Sequence, residues 1–377
     1  MNSRRAGFAG YTCRLTHPNT AQLTARTHHL PAQAAHPDKL EIRKVEELSN
    51  TEALAEAFRG VDGVFHMAAV HPKYGFQETT EGRQALVAIA VEGTLSAMRA
   101  CVAAGVKRVV LTSSLAAVEC GNDEGTLTEG TWSKAEVYDS SDKLTNTTWG
   151  THYTYVKSKT EQEKAAVAFA SEHGLDLRVV VPGNLCVGPI ANKQINGTMT
   201  RLCDIMKGTN TLKGAADLGE HALSAAPRSV PSLAALTRCP HSLPLAALTR
   251  RPHSPPSVAA THCPHSPDSS RAGVVHVGDV VAAHLECMTK DDATGRYIVT
   301  RNMVRIEELF DTLKSLYPTA PIAKLDNMDY ASGVPGKARS IESRTEKELG
   351  LQLTDLRTTL KEAVDSMVNH GYVAASA

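Results

Sequence analysis

Apolar positions follow two different spacings along most of the chain. Short apolar runs, some with every second residue apolar, predict strands at 40–45, 61–69, 108–114 and 177–182. Longer segments with apolar residues at helical spacing, each ended by a glycine, lie at 50–60, 85–105 and 155–174. Strands that alternate with helices of this length indicate βαβ units, so the sequence predicts a parallel sheet covered by helices on both faces.

A repetitive segment interrupts this pattern. Three consecutive dodecamers occupy 233–244, 245–256 and 257–268. Each contains Pro-His-Ser and further prolines but few large apolar residues, so stacked repeats could not bury a core. We therefore expect a disordered insertion over 213–272. We expect no metal site there, because the Cys-Pro-His triplets have no CxxC or HxxxH spacing beside them. The strand and helix pattern resumes at 273–370.

The bulk composition limits the possible partners. The 377 residues include 40 Lys+Arg and 40 Asp+Glu, so the formal net charge is zero. A balanced chain lacks the basic surface typical of nucleic-acid or anionic-membrane binding. We expect no membrane span of ~20 apolar residues and no secretory signal at the N-terminus. The eight cysteines are scattered without CxxC spacing, which predicts a reduced, cytoplasmic protein.

One short segment contains two overlapping Tyr-x-x-x-Lys frames, Tyr153/Lys157 and Tyr155/Lys159. Residues four apart share a helix face, so either pair could place a phenol and an ammonium in one pocket. A nearby cation favours the ionised phenol, which suits proton transfer to or from a carbonyl or alcohol oxygen. Helical phase favours the second frame, because Tyr155 and Lys159 share a face with Ala166. A solvated tyrosine near a solvated lysine would fit the same spacing.

Further segments occur in a specific order around this pair. They lie at 63–69, 91–94, 106–114, 129–133, 155–161, 182–189 and 275–280. Their order resembles the extended short-chain dehydrogenase/reductase family, within the NAD-dependent epimerase/dehydratase superfamily. The most similar branch contains dihydroflavonol reductase, cinnamoyl-CoA reductase and 3β-hydroxysteroid dehydrogenase. The resemblance spans about 40–212 and 273–370, and Ser158 before the lysine supports the Tyr155 frame.

The resemblance implies a Rossmann-like, doubly wound α/β fold with a small C-terminal substrate lobe. Residues 1–190 would form the dinucleotide-binding domain, and 191–212 would begin the substrate lobe. After the insertion at 213–272, residues 273–370 would complete both parts. The sequence has no GxxGxxG loop, whose glycines and following helix N-terminus bind pyrophosphate in such folds. We therefore expect the first strand and the glycine-rich loop to be missing.

The resemblance also implies roles for three catalytic residues. Tyr155 would be the acid/base that protonates the substrate oxygen during reduction. Lys159 would lower the pKa of Tyr155 and hydrogen-bond the nicotinamide ribose. Ser114 would hold the substrate oxygen through a hydrogen bond, because a fixed donor stabilises developing negative charge. The alternative for Ser114 is a hydroxyl that caps the end of a strand.

Besides Tyr155 and Lys159, the resemblance implies cofactor contacts at Arg14, Leu48, Ala68, Ala69, Pro182 and Gly183. Structural alternatives remain: tight sheet packing at 68–69, a strand-ending turn at 182–183, and an exposed loop at Leu48. The absence of an acid after Cys13 favours NADP, with NAD possible. His66 lies within a strand, which favours a hydrogen-bonded core histidine over a base.

Together these features predict an NAD(P)-dependent oxidoreductase acting on the CH-OH/C=O group of a small organic substrate. The missing phosphate loop supports one alternative, a non-catalytic Rossmann-like remnant. A sugar-nucleotide epimerase or dehydratase relative is the other alternative, since it would share the three catalytic residues. Substrate contacts would lie between Pro189 and Val274, where the repeats replace the pattern. The sequence therefore predicts neither the substrate nor the oligomeric state.

Overall fold

Strands and helices alternate along most of the chain. The computed structural model describes residues 13–17, 40–45, 47–69, 80–122, 125–134, 147–190, 195–209, 271–323 and 339–374. Within them the strands are β1 (Cys13–His17), β2 (Leu40–Lys44), β3 (Gly63–His66), β4 (Arg108–Thr112), β5 (Gly125–Leu127), β6 (Asp176–Pro182), β7 (Leu185–Val187), β8 (Arg271–His276), β9 (Gly295–Val299), β10 (Met303–Arg305) and β11 (Arg339–Ile341). The helices are α1 (Thr51–Phe58), α2 (Thr80–Ala104), α3 (Ala116–Glu119), α4 (Thr147–His173), α5 (Gly197–Met206), α6 (Val277–Thr289), α7 (Ile306–Leu316), α8 (Thr345–Leu349) and α9 (Leu356–Asn369).

A four-stranded parallel sheet, in the order β3–β4–β6–β9, forms the centre of the fold. Its strands are apolar on both faces because helices cover both. In β4, Val109 and Leu111 face cores that include α2, while Val110 faces the core that includes α6. This alternation follows from the two-residue period of a strand. The predicted parallel α/β sheet is confirmed.

Helix α2 is the one helix in the described parts that is long and apolar enough to cross a membrane. An 18-residue window within Glu81–Ala104 has a mean hydropathy of 1.6. The helix packs against both α1 and α4. Leu86 and Met98 on it are nearly inaccessible to solvent. Its apolar character is therefore explained by its position in the core.

Two arginines join the C-terminus of α6 to the sheet. Arg178 on β6 donates from Nη1 to the carbonyl of Cys287 at 2.7 Å and also to that of Lys290. Arg108 on β4 donates to the carbonyl of Met288 at 2.8 Å. Both guanidinium groups also bind Asp176. Carbonyls at a helix C-terminus lack partners within the helix, so these bonds satisfy acceptors that the helix itself leaves unpaired.

A second, smaller part of the fold contains the three-stranded sheet β10–β8–β7 and helices α5, α7 and α9. Its core is built from apolar residues of the three helices, including Leu202, Phe310 and Val364. Strand β8 begins at Arg271. Arg271 and Ala272 pair with β10, and the predicted domain boundaries stay predictions. The dodecamer repeats lie outside the described residues.

Strands β1 and β2 form a separate two-stranded parallel sheet. Within the described residues β1 pairs with β2, and β3 pairs with β4, so β3 is an edge of the central sheet. In the described part of the chain, β1 and β2 therefore do not pair with the central sheet. The predicted loss of a first strand and glycine-rich loop concerns residues 1–12, which lie outside the described residues, and stays a prediction.

Candidate active site

The candidate site lies where β3, β4 and β6 end. Parallel strands place their carboxyl ends at one edge, and ligands bind at this edge in open α/β sheets. Ala68 follows β3, Ser114 follows β4, and Pro182 ends β6. Helix α4 packs against α2 and against the short helix α3 that begins two residues after Ser114. The fold therefore brings one side of α4 to the ends of these strands.

Tyr155 lies on α4 and hydrogen-bonds the hydroxyl of Ser114. The Ser114 oxygen also accepts from the backbone N–H of Ala116 at 3.3 Å. Tyr155 packs in a small cluster with Ala116, Val156 and Cys120. Tyr155 is not at the start of its helix as expected, because α4 already begins at Thr147. The position of Tyr155 within the helix and the hydrogen bond to Ser114 together orient the phenolic hydroxyl.

Lys159, one turn further along α4, is only 5% exposed. Its ammonium donates to the carbonyl of Thr112 at 2.9 Å and to Oε1 of Gln162 at 3.4 Å. Burial lowers the pKa of Lys159 to about 8, and the charge of Glu163 opposes this decrease. Lysine has three N–H donors. Two of them are committed to these partners, and among the described residues the third has no partner, so it could bind a ligand.

Helical phase places the two lysines of the overlapping frames in different surroundings. Lys159 is buried together with Ala166 and Ala170, whereas Lys157 is half-buried and Lys164 is exposed. This arrangement agrees with the face predicted from the sequence. The side chain of Tyr153 lies outside the described residues.

The pKa of Tyr155 moves in the opposite direction from the one expected of a lysine partner. Burial raises the pKa of Tyr155, Cys120 adds to the increase, and the hydrogen bond from Ser114 opposes it. The Lys159 ammonium donates to the Thr112 carbonyl and to Gln162. Desolvation therefore decides the direction in this arrangement.

The other predicted cofactor positions have mixed surroundings. Ala68 and Ala69 are exposed just beyond β3. Leu48 is half-buried and packs against the core beside α1. Gly183 is tightly placed, because a Cβ there would lie 2.4 Å from the carbonyl oxygen of Gly273. This close approach of two backbones is a structural reason for the glycine. Arg14 belongs to β1, and its side chain lies outside the described residues.

His66 is a core histidine, as expected. It is 7% exposed, and its Nε2 lies 3.1 Å from the hydroxyl of Thr94. Burial, with a contribution from the charge of Lys159, lowers the pKa of His66 to about 4. A ring with this pKa is neutral at physiological pH.

Two buried polar residues next to Lys159, Gln162 and Thr94, were not predicted from the sequence. Gln162 donates from Nε2 to the hydroxyl of Thr94 at 2.6 Å. Gln162 and Thr94 are 2% and 1% exposed. A glutamine one turn after a buried lysine, on the same helix face, is the signal that could have identified the first of them.

A buried ion pair fixes the next turn of α4. Glu163 lies 2.5 Å from Nε of Arg296 on β9 and accepts a hydrogen bond from Ser113. The Arg296 guanidinium stacks over Trp132 at 3.9 Å. These contacts hold α4 against the sheet next to the catalytic candidates. In the described part of the chain, no group of three His, Cys, Asp or Glu side chains could hold a metal ion.

Comparison with known proteins places this geometry in context. Residues 6–209 match the NAD dependent epimerase/dehydratase family. The chain is 27% identical over 369 residues to cinnamoyl-CoA reductase 1 of Oryza sativa subsp. japonica, covering 97% of this chain and 85% of that protein. Vestitone reductase from alfalfa is a structural match with a TM-score of 0.65, 21% identity, and coverage of 97% and 92%. Yeast methylglyoxal/isovaleraldehyde reductase Gre2, in complex with NADPH, matches with a TM-score of 0.64, 19% identity, and coverage of 97% and 93%. At these identities the two solved structures support the fold alone.

Proposed function

Because the chain belongs to the NAD dependent epimerase/dehydratase family, an extended short-chain dehydrogenase/reductase family, we propose that it is an NAD(P)H-dependent reductase of a carbonyl group. The substrate would be a small organic molecule, as it is for the reductases to which the chain is similar. The observation that carries this proposal is the Tyr155–Ser114 hydrogen bond beside a buried Lys159. A cytoplasmic location remains a prediction.

The residues at the strand ends fit the nicotinamide and ribose end of such a cofactor. Lys159 has an N–H beyond those given to Thr112 and Gln162, which would hold a ribose hydroxyl. Ala68 and Ala69 are exposed and small, so they would allow close approach to the backbone. At the pyrophosphate end the sequence supplies no GxxGxxG loop. The residues of this chain therefore fit the nicotinamide and ribose end of the cofactor, and not the pyrophosphate end.

When bound, the cofactor supplies a hydride to the carbonyl carbon. Tyr155 would donate its phenolic proton to the carbonyl oxygen as charge develops there. Burial raises the pKa of Tyr155, so the phenol is protonated at neutral pH and is ready to act as an acid. Ser114 would hold the same oxygen by a hydrogen bond, and the Lys159 cation would stabilise the phenolate that remains.

NADPH is the proposed form of the cofactor, with NADH as the alternative. Arg14 and the absence of an acidic residue directly after Cys13 support a 2′-phosphate over a free 2′-hydroxyl. A fluorescence titration of the purified full chain with NADPH and with NADH tests it. Tighter binding of NADPH would support the proposal, and binding of neither cofactor would refute it.

The missing GxxGxxG loop favours one competing function, a Rossmann-like protein that has lost catalysis. The two proposals differ in turnover. The wild type is tested for oxidation of NADPH in the presence of a panel of aldehydes and ketones. Oxidation that the Tyr155→Phe substitution abolishes would exclude the non-catalytic alternative. A Tyr155→Phe variant as active as the wild type would refute the assignment of Tyr155.

A further inference from the structure

A continuous series of buried hydrogen bonds runs from Lys159 to His66. Lys159 donates to Gln162 at 3.4 Å, Gln162 donates to Thr94 at 2.6 Å, and Thr94 lies 3.1 Å from Nε2 of His66. The four side chains come from α4, α2 and β3. All four are at most 7% exposed. Water therefore does not replace these bonds freely.

Donor and acceptor chemistry gives the series one direction. The Gln162 carbonyl oxygen accepts from an ammonium that has no acceptor, so its amide nitrogen faces Thr94. The Thr94 oxygen accepts that N–H, and its single proton is then available for Nε2 of His66. His66 is neutral because burial holds its pKa at about 4. Its Nε2 can therefore be the acceptor that ends the series.

We infer that Gln162 is a positioning residue for Lys159, and that Thr94 and His66 fix its amide. The Thr112 carbonyl and the Gln162 carbonyl direct two N–H groups of the ammonium, so the third has one direction left. This inference rests on the proposed function, in which that third N–H holds the ribose next to Tyr155. The residue acts through Lys159 and not on the substrate.

Several ionisable groups lie on the elements that surround Lys159. Glu163 on α4 raises the pKa of Lys159 by its charge, but its oxygens are committed to Ser113 and Arg296. His66 approaches from β3, and His284 on α6 binds the hydroxyl of Thr112 at 2.6 Å. Tyr155 lies one turn away on the same helix. None of these ionisable side chains accepts a hydrogen bond from the ammonium in the described structure, whereas Gln162 does. Removal of Gln162 should therefore favour the neutral amine of Lys159.

The experiment compares Gln162→Met, Gln162→Glu and Thr94→Val, with Thr160→Val as the matched control. Methionine has a similar size but accepts no comparable hydrogen bond, while glutamate keeps an acceptor beside Lys159. Thr160 is also a fully buried threonine, and it bonds Ser133 and Val156 outside the series. The first readout is an NMR titration of the full chain with isotope-labelled lysine, in which Lys159→Met identifies the Lys159 signal.

Gln162→Met should lower the titration midpoint of Lys159 by roughly one pH unit, because a hydrogen bond to a charged group is lost. Gln162→Glu should raise the midpoint, and Thr160→Val should leave it unchanged. Thr94→Val should lower it less than Gln162→Met. Where turnover is measurable, Gln162→Met should reduce kcat/KM about threefold to tenfold and move the alkaline limb of its pH profile to lower pH.

An unchanged Lys159 midpoint in folded Gln162→Met and Thr94→Val would overturn the inference. A downward change in Thr160→Val equal to that in Thr94→Val would also overturn it, because any buried threonine would then have the same effect. The titration does not depend on turnover. A protein that reduces no carbonyl would therefore refute the proposed function while the titration still decides the role of Gln162.

Discussion

Lys159 should make the folded protein less stable at neutral pH than a neutral side chain at the same position. The side chain is 5% exposed, and burial lowers its pKa from 10.5 to about 8. Each unit of pKa is worth about 1.4 kcal/mol, so the buried charge costs about 3 kcal/mol at pH 7. A Lys159→Met substitution removes this cost. It also removes the donor to Thr112 and Gln162, which should offset about 1–2 kcal/mol of the gain.

The pH dependence of this effect has a definite sign. At pH 7 Lys159 is protonated in both the folded and the unfolded chain, so the full cost is present. Between pH 8 and 10.5 the folded state loses the proton while the unfolded state keeps it. Stability rises with pH wherever the unfolded state binds more protons, so the wild type should gain about 1.4 kcal/mol per pH unit in this window relative to the variant.

Urea unfolding at pH 7 and pH 10 measures this difference. Lys159→Met should be about 1–2 kcal/mol more stable than the wild type at pH 7, and less stable at pH 10. Other ionisable groups are common to both proteins and largely cancel in the difference. Lys157→Met is the matched control, because Lys157 is only half-buried and should show no such reversal. A pH-independent difference between Lys159→Met and the wild type would show that the folded state does not lower the pKa of Lys159.

Three further predictions concern packing and pH. Gly183→Ala should lower the free energy of unfolding by about 3 kcal/mol in urea denaturation, since its Cβ would lie 2.4 Å from a carbonyl oxygen of Gly273; unchanged stability would contradict this packing. Arg178→Met should lower the free energy of unfolding by about 3 kcal/mol, because Arg178 is 1% exposed and binds Asp176 and the carbonyls that end α6. Hydrogen exchange should show that α6 opens earlier in this variant. Exchange equal to the wild type would mean that Arg178 does not stabilise the end of α6. The reductase activity should fall as pH rises through about 8, where Lys159 loses its charge. Activity that stays constant from pH 7 to 9 would show that the charge of Lys159 does not contribute to the rate.

The parallel sheet and the face of α4 that carries Tyr155 were predictable from periodicity. Strand β4 reads as a continuous apolar run because helices cover both of its faces. The burial of Lys159 followed from helical phase, since a residue seven positions from Ala166 lies on the same side of the helix. In each case the prediction depends only on the spacing of residues within one helix or strand.

Contacts between distant elements were not predictable in the same way. The bond from Gln162 to Thr94 joins residues 68 positions apart, and the pair Glu163–Arg296 joins residues 133 apart. No local pattern encodes which helix face meets which strand. The upward direction of the Tyr155 pKa was not predictable from the Tyr-x-x-x-Lys spacing, because it results from burial of the phenol in the folded chain.

The proposed role of Tyr155 as the acid of a carbonyl reductase can be tested by one comparison. The measurement is NADPH oxidation with a panel of aldehydes and ketones by the wild type, Tyr155→Phe and Tyr153→Phe. The two variants remove the same hydroxyl from the two overlapping frames. Tyr155→Phe should reduce kcat/KM at least about 100-fold, while NADPH binding persists and Tyr153→Phe stays close to the wild type. Equal activity of Tyr155→Phe and the wild type, or a loss confined to Tyr153→Phe, would show that Tyr155 is not the acid.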